Sequence, residues 1–236
     1  MSLSIMQSSE FSANSVGFSK LRKNKNGGKA VYLNTSDNKK LYLEFPFMRS
    51  PYGLSAYTDE TTGRTTYSLD LSFDPDNAAS MELHSKLKAL DDLIVETVAE
   101  NSKEWLGKKF NVAVLKDALY KPIVREGKEP YPDTIKLKIL TKTDGEFLPE
   151  AYNMRKERVP LDSIEKGQKC MTIVDVNQIW FIDNKFGVTI RLQQVLMEQS
   201  AKLPAFAFQG VSLPDDDDME VDVEEEVVED VEVDEP

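Results

Sequence analysis

A period of two in the apolar residues recurs along the chain and constrains the fold more than any other feature. Successive side chains of a β-strand point to opposite faces, so this period is typical of strands with one buried face. In residues 40–47, Leu41, Leu43, Phe45 and Phe47 share the face that we expect to point inward. The same period appears in residues 65–73, 134–140 and 186–197, and residues 170–182 form a long segment rich in β-branched residues. The chain is therefore predicted to be mainly β.

One segment has a helical period instead. From Asp76 to about Leu106, apolar residues are three or four positions apart, at Leu83, Leu87, Leu90, Ile94 and Val98. Asp74 or Asp76 is predicted to cap the start of this helix, and Gly107 to end it. A shorter helix is predicted over residues 112–120.

These elements predict an elaborated, OB-fold-like antiparallel barrel with one long inserted helix. Turn residues between the strands, such as Asp183-Asn184-Lys185, favour antiparallel pairing. A β-sandwich fits the number of strands nearly as well, and periodicity alone does not separate the two architectures.

The formal net charge of −12 is distributed unevenly along the chain. Residues 214–236 contain 14 Asp and Glu and no Lys or Arg, which leaves 27 acidic against 29 basic residues in residues 1–213, a net charge of +2. A segment so charged and without aromatic residues cannot bury enough apolar surface to offset its ordering entropy. We therefore expect a mobile basic segment (1–28), an OB-like body (29–213) and a disordered acidic tail (214–236).

The sequence is poorly supplied for catalysis. With one cysteine, Cys170, and one histidine, His84, it lacks the material for a Cys/His zinc site or a nucleophile–histidine pair, apart from one built on His84 itself. It contains no GxxxxGK[ST], GxGxxG or HExxH motif. We expect no cofactor, no metal and no enzymatic activity; a metal-dependent nuclease built from scattered acids stays open. No secretory signal or membrane-spanning stretch is predicted, so we expect an intracellular protein.

Cations and aromatic residues on shared outward faces point to nucleic-acid binding. Single strands are bound by cations that meet phosphates and by aromatic rings on which bases stack. Each aromatic taken alone is better explained by core packing, but Lys136 and Lys138 turn outward together, and Tyr42 follows Lys39 and Lys40 on a polar face. The candidate DNA-binding residues are Lys20, Arg22, Lys23, Lys25, Lys39, Lys40, Tyr42, Lys136, Lys138, Tyr152, Arg155, Lys156, Arg158, Trp180 and Arg191.

The segment WFIDNKFGVTIRLQQV, residues 180–195, carries a resemblance to a known family. It is similar to the last barrel hairpin of the acidic-tailed OB-fold single-stranded DNA-binding proteins of podophages, which have relatives in nucleo-cytoplasmic large DNA viruses. The matching positions are Gly187, Val188, Thr189, Arg191, Leu192 and Val195. The layout of barrel strands, long helix and acidic tail extends the resemblance loosely over the chain.

This resemblance implies a viral protein that binds single-stranded DNA without sequence preference in replication, recombination and strand annealing. It implies an acidic tail that competes with DNA for the groove and contacts a replicative DNA polymerase or helicase. It also implies homodimers, and a location at DNA replication sites in a viral factory or the host nucleus. The family's phage tails end in an aromatic residue, whereas this chain ends Asp234-Glu235-Pro236, which puts docking of the terminus through an aromatic ring in doubt.

A histone or protein chaperone with an acidic tail on a β-rich platform is the alternative. In that case the tail supplies the main affinity for a basic protein. In the DNA-binding hypothesis, removal of the tail tightens binding to DNA.

Overall fold

The computed structural model describes residues 4–23, 27–199 and 208. The acidic tail, with its predicted disorder, lies outside the described residues. The strands are β1 (Ile5–Gln7), β2 (Gly17–Phe18), β3 (Arg22–Lys23), β4 (Lys29–Asn34), β5 (Tyr42–Arg49), β6 (Leu54–Thr58), β7 (Thr65–Ser72), β8 (Tyr120–Lys121), β9 (Val124–Arg125), β10 (Thr134–Ile139), β11 (Glu150–Tyr152), β12 (Arg158–Val159), β13 (Lys169–Ile182) and β14 (Lys185–Met197). The long helix is α1 (Ala78–Trp105).

Five of these strands close into a barrel. β5 pairs with β7, β7 with β10, β10 with β14, β14 with β13, and β13 again with β5. Every pair is antiparallel except β10 and β14, which run parallel and meet at Lys138 and Arg191. A closed ring of five strands is an OB-type barrel. The predicted mainly β fold with one long inserted helix is confirmed.

The interior of the barrel follows the predicted alternation with one exception. Leu43 and Phe45 on β5 and Leu69 on β7 are fully buried. Phe47 was predicted to point inward, but it is only partly buried and Met48 takes the interior position. The pairing of β5 with β13 shifts register next to this point, and such a shift moves the following side chains to the opposite face.

Helix α1 buries its predicted apolar stripe, including Leu83, Leu87 and Leu90. The predicted capping residue was wrong: the Asn77 side chain, rather than Asp74 or Asp76, accepts a hydrogen bond from the Ser80 N–H at 3.1 Å. After the last turn, Gly107 adopts a φ of +85°, a conformation that glycine tolerates best.

Both ends of α1 contact the barrel through aromatic rings. The rings of Trp105 and of Phe181 on β13 lie 5.9 Å apart, edge to face. The imidazole of His84 lies 4.9 Å from the ring of Phe73, which follows β7. The helix is thereby fixed against two of the strands that carry groove residues.

The predicted second helix over residues 112–120 ends one residue early, and most of it is π-helical. Residues Val112–Val114 are α-helical and Leu115–Leu119 form a turn of π-helix, after which Tyr120 starts β8. Tyr120 pairs with Phe186 on β14. Across the described residues, no helix is long and apolar enough to cross a bilayer.

The first segment of the chain contributes to the core of the barrel unit. Phe11, Ala13 and Val16 are buried, β1 pairs with β5, and both β2 and β3 pair with β4. The boundaries at residues 28 and 213 stay predictions.

Candidate nucleic-acid interface

A groove of about 800 Å³ lies on the outer face of the barrel. Strands β7, β10, β13 and β14 form its floor, and the edge strand β6 forms one wall. The side chains around it are polar, cationic, aromatic and aliphatic. Its lining includes Lys29, Ser55, Tyr57, Thr66, Ser68, Arg125, Lys136, Lys138, Gln178, Trp180 and Thr189.

Strand registers explain why these side chains meet. Residues paired across neighbouring strands share a face of the sheet. One row of paired residues runs around the outside of the barrel from β5 to β6, through Tyr42, Asp175, Arg191, Lys138, Ser68 and Ser55. Residues from six strands are thus aligned on one face.

Lys138 is at the centre of a cationic cluster. Its pKa is lowered, first because the surrounding strands partly desolvate the ammonium, and then because Arg191 and Arg64 are close. No carboxylate lies within ion-pair distance of any of these three side chains in the described part of the chain. The Nε of Arg191 is buried and has no hydrogen-bond partner there. This arrangement of like charges favours an anionic ligand.

Lys136 points to the same face but already has a partner. Its Nζ lies 2.7 Å from Asp70 Oδ2 and 3.2 Å from Ser68 Oγ. The Asp70 side chain is 9% exposed, so its carboxylate depends on this lysine for compensation. The two outward lysines therefore differ: Lys136 is paired, whereas Lys138 is available to an incoming anion.

A buried carboxylate borders the cationic cluster. Asp175 is 3% exposed and accepts a hydrogen bond from Asn177 Nδ2 at 2.9 Å. Burial raises its pKa, while this hydrogen bond and the charges of Lys40 and Arg191 oppose the rise. Asp175 thus offsets part of the positive charge without reaching the groove surface.

Trp180 and Tyr57 provide flat surfaces at the groove. The Trp180 ring lies against the backbone of Gly187, where an added Cβ would be 2.8 Å from Cζ2. Tyr57, on β6, is 68% exposed. An aromatic ring that is supported on one side or exposed on a rigid strand can stack with a nucleobase.

A strap formed by β8 and β9 connects helix α1 to the groove. Lys121 pairs with Gly187, and Arg125 pairs with Thr134 on β10. The Asp91 carboxylate on α1 holds this strap by accepting hydrogen bonds from the Tyr120 hydroxyl and from the backbone N–H groups of Ile123 (2.9 Å) and Val124 (3.2 Å). Burial is the main cause that raises the pKa of Asp91 to about 6.

The structure brings Lys136, Lys138 and Trp180 together in the groove, with Arg191 next to Lys138. Tyr42 lies on the same outer face, separated from Lys138 by the two strands β13 and β14 along the row.

The basic residues of the first forty positions occupy the neighbouring strands and turns. Arg22 lies on β3 with its guanidinium carbon 5.3 Å from the centre of the Tyr32 ring. Lys23 pairs with Lys29. Lys20 is exposed, and Lys25 lies outside the described residues.

Lys39 and Lys40 lie before β5. The Lys39 ammonium is 4.0 Å from the Asp37 carboxylate, and both side chains are exposed. Lys40 forms an isolated bridge with Asn34 and lies close enough to Asp175 to lower its pKa.

Of the predicted residues that the structure describes, Lys136, Lys138 and Trp180 line the groove itself; four of the others lie together elsewhere in the sheet. They belong to β11, β12 and the turn between them; β11 pairs with the far end of β14, and β12 pairs with β11. They are Tyr152, Arg155, Lys156 and Arg158.

Sequence reasoning missed several groove residues, notably Lys29, Tyr57, Thr66 and Arg125. Lys29 Nζ donates to the Trp105 carbonyl at 3.1 Å, a contact between positions far apart in the sequence. Tyr57 was the most accessible to prediction, because Thr61-Thr62-Gly63-Arg64 has the residue types of a turn and strands commonly flank such a turn.

A family model described as Family of unknown function (DUF5871) matches residues 69–210. The match covers more than half of the chain, so the chain belongs to this family. No curated protein matches it.

Solved structures with a similar course of the chain include phage proteins. The single-stranded DNA-binding protein of bacteriophage Enc34, in complex with ssDNA, is 14% identical with a TM-score of 0.41, covering 78% of this chain and 97% of that one. The gp2.5 single-stranded DNA-binding protein of bacteriophage T7 is 14% identical with a TM-score of 0.45, covering 80% and 100%. A C-terminal truncation of the Enc34 protein is 16% identical with a TM-score of 0.43, covering 79% and 97%.

Proposed function

We propose that this member of the DUF5871 family is a nonenzymatic protein that binds single-stranded DNA without sequence preference along the groove of its barrel. The cluster around Lys138 is the observation that carries this proposal. Lys138 and Arg191 are paired across β10 and β14 there, Arg64 is close, and no described carboxylate lies within ion-pair distance of them. Like charges held close in a partly desolvated site are unfavourable until an anion joins them. A phosphate of a nucleic-acid backbone supplies that anion.

The aromatic side chains favour a single strand over a duplex. Trp180 and Tyr57 line the groove. Their rings can stack on bases that are splayed out of a helix. Every base has such a face, so stacking contributes about 1–3 kcal/mol per base with little sequence preference.

The roles in replication, recombination and strand annealing, and the tail's contact with a DNA polymerase or helicase, are part of the proposal. We place the protein at viral DNA replication sites, in a viral factory or the host nucleus. The acidic tail, with its 14 Asp and Glu, competes with DNA for the cationic groove. Homodimers remain part of the same hypothesis.

The first experiment is a titration of fluorescent oligo-dT with wild-type protein and Lys138→Ala at several salt concentrations. Loss of one charge-assisted phosphate contact is expected to cost about 1.5 kcal/mol, or roughly a tenfold loss of affinity. The slope of log affinity against log salt is expected to become shallower by about 0.7.

Lys103→Ala is the matched control, since Lys103 is an exposed lysine on α1 outside the groove lining. Equal effects of the two variants would show that net charge determines the affinity and would contradict binding of DNA in the groove. Duplex DNA and RNA of equal length serve as competitors. If either binds more tightly than oligo-dT, the proposal of single-stranded DNA as the ligand is wrong.

A second experiment tests the tail. Deletion of residues 214–236 changes the formal net charge from −12 to +2. Binding to oligo-dT is expected to tighten most at low salt, since the Debye length falls from about 30 Å at 0.01 M to about 10 Å at 0.1 M. Crosslinks from the tail to the region of Lys138 that vanish on addition of oligo-dT would support competition. Unchanged crosslinks would contradict it, and loss of a basic protein partner with no change in DNA binding would favour a chaperone.

A further inference from the structure

The outer face of the hairpin of β13 and β14 continues well beyond the groove. Its paired residues alternate between the barrel interior and the outside, and each strand carries one extra, unpaired residue at a register shift. The outward pairs, in order from the groove, are Trp180–Gly187, Gln178–Thr189, Asp175–Arg191, Ile173–Gln194 and Met171–Leu196.

The face is long enough to hold several nucleotides. Trp180 and Met171 are nine positions apart on β13, which corresponds to about 30 Å at roughly 3.3 Å per residue. A stacked single strand rises about 3.4 Å per nucleotide. A strand that leaves the groove along this hairpin therefore reaches the far end within about nine nucleotides.

A second depression of about 290 Å³ lies at that far end, and we call it the distal depression. Met171, Ile173 and Leu196 provide partly exposed aliphatic surface, and Tyr152 and Lys156 also line it. The Tyr152 hydroxyl donates a hydrogen bond to Glu150 Oε2 at 2.8 Å. An aromatic ring thus stands beside an apolar floor.

The turn between β11 and β12 carries two cations, of which Lys156 lines this depression and Arg155 is its neighbour in the turn. Asn153 Oδ1 accepts hydrogen bonds from the backbone N–H groups of Arg155 (2.9 Å) and Glu157 (3.0 Å), which fixes the turn. Arg155 and Lys156 are exposed, and in the described part of the chain neither side chain has an ion-pair partner. Arg158, by contrast, is 3.7 Å from the Glu150 carboxylate.

We infer that the distal depression is a second nucleobase-binding subsite, which takes the same single strand that occupies the groove. The inference rests on the proposed function. Tyr152 stacks with a base over the aliphatic floor, and Arg155 and Lys156 meet its phosphates. Continuity favours this ligand over an apolar peptide, because one sheet face joins the two depressions and Arg191 supplies a cation between them.

This arrangement makes affinity depend on oligonucleotide length. A short strand fills only the groove, whereas a longer strand gains the second subsite as an intramolecular step at high effective concentration. One additional stacked base contributes about 1–3 kcal/mol, so a strand that spans both sites is expected to bind at least fivefold more tightly.

The test compares oligo-dT of about 5 and about 15 nucleotides, within the range of lengths that OB folds bind. Tyr152→Ala is expected to lose roughly tenfold affinity for the long strand and none for the short one. Lys156→Asn is expected to show the same dependence on length with a smaller loss. Asparagine tolerates the positive φ of +65° at this position, so Lys156→Asn is expected to fold. It therefore tests the inference even if Tyr152→Ala proves unstable.

Two further variants separate this inference from the proposed function. Tyr57→Ala, in the groove, is expected to weaken binding of both the short and the long oligo-dT. Tyr131→Ala removes an exposed tyrosine outside both depressions and is expected to weaken binding of neither. Wild-type affinity of both Tyr152→Ala and Lys156→Asn for the long strand would overturn the distal subsite alone. Wild-type affinity of Tyr57→Ala and Lys138→Ala as well would overturn the proposed function.

Discussion

The ring of Trp180 packs against Gly187, its paired residue on the neighbouring strand, with no space for a side chain between them. A Cβ at position 187 would lie 2.8 Å from Trp180 Cζ2 and 3.0 Å from the Lys121 carbonyl oxygen. The glycine therefore sets the position of the indole at the groove. This contact gives a steric reason for a glycine at the matching position of the hairpin motif.

Gly187→Ala is expected to displace the Trp180 ring and weaken oligo-dT binding by about 1–3 kcal/mol, the contribution of one stacked base. The measurement is a titration combined with the quenching of tryptophan fluorescence by oligo-dT. Gly17→Ala is the control, because a Cβ there meets its nearest atom at an ordinary 3.5 Å. Normal binding and quenching in Gly187→Ala would show that the indole does not depend on this contact.

The two outward lysines of β10 are expected to differ in their effect on stability. Lys136→Ala leaves the largely buried Asp70 carboxylate without its partner and should lower the free energy of unfolding by about 1–3 kcal/mol. Lys138→Ala removes an unpaired charge and should change it by no more than about 0.5 kcal/mol. Urea unfolding of both variants measures the difference, and equal values would contradict the separate roles.

Tyr57→Ala should affect binding without affecting folding. The side chain is 68% exposed, so its removal should change stability by no more than about 0.5 kcal/mol, whereas loss of a stacked base should cost about 1–3 kcal/mol of binding. Thermal unfolding and oligo-dT titration on the same sample measure both. A variant that binds as wild type would remove Tyr57 from the interface.

Asp91 should make stability depend on pH in an unusual direction. Its folded-state pKa of about 6 lies above the ordinary value of 3.8, so the folded state binds the proton more tightly than the unfolded state. This group therefore contributes stability as pH falls from about 6 towards 3.8, and the contribution is lost as pH rises through 6. The full amplitude is roughly 3 kcal/mol at 1.36 kcal/mol per pKa unit.

Asp91→Asn removes this titration. The difference in unfolding free energy between wild type and variant, measured by urea at pH 4 to 7, should favour the wild type increasingly towards the acidic end. Because other carboxyl groups titrate equally in both proteins, the difference isolates Asp91. A difference that does not vary with pH would show that burial does not raise this pKa.

The sequence by itself determined the five strands of the barrel and the long helix, because these depend on the pattern of neighbouring residues; the face of β5 was predicted correctly up to Phe45. The outward direction of Lys136 and Lys138 and the hairpin that carries Trp180 and Arg191 followed from the same pattern. Composition alone separated a nearly neutral body from an acidic segment.

Only the tertiary structure decided which outward residues meet. Closure of β10 onto β14 places Lys138 beside Arg191, and pairing of β10 with β7 gives Lys136 its partner Asp70. The same closure separates Tyr152 from the groove. Such contacts depend on the register between distant strands. The hydrophobic pattern of a single strand fits every register that keeps the same face inward, so it does not determine which residues become neighbours.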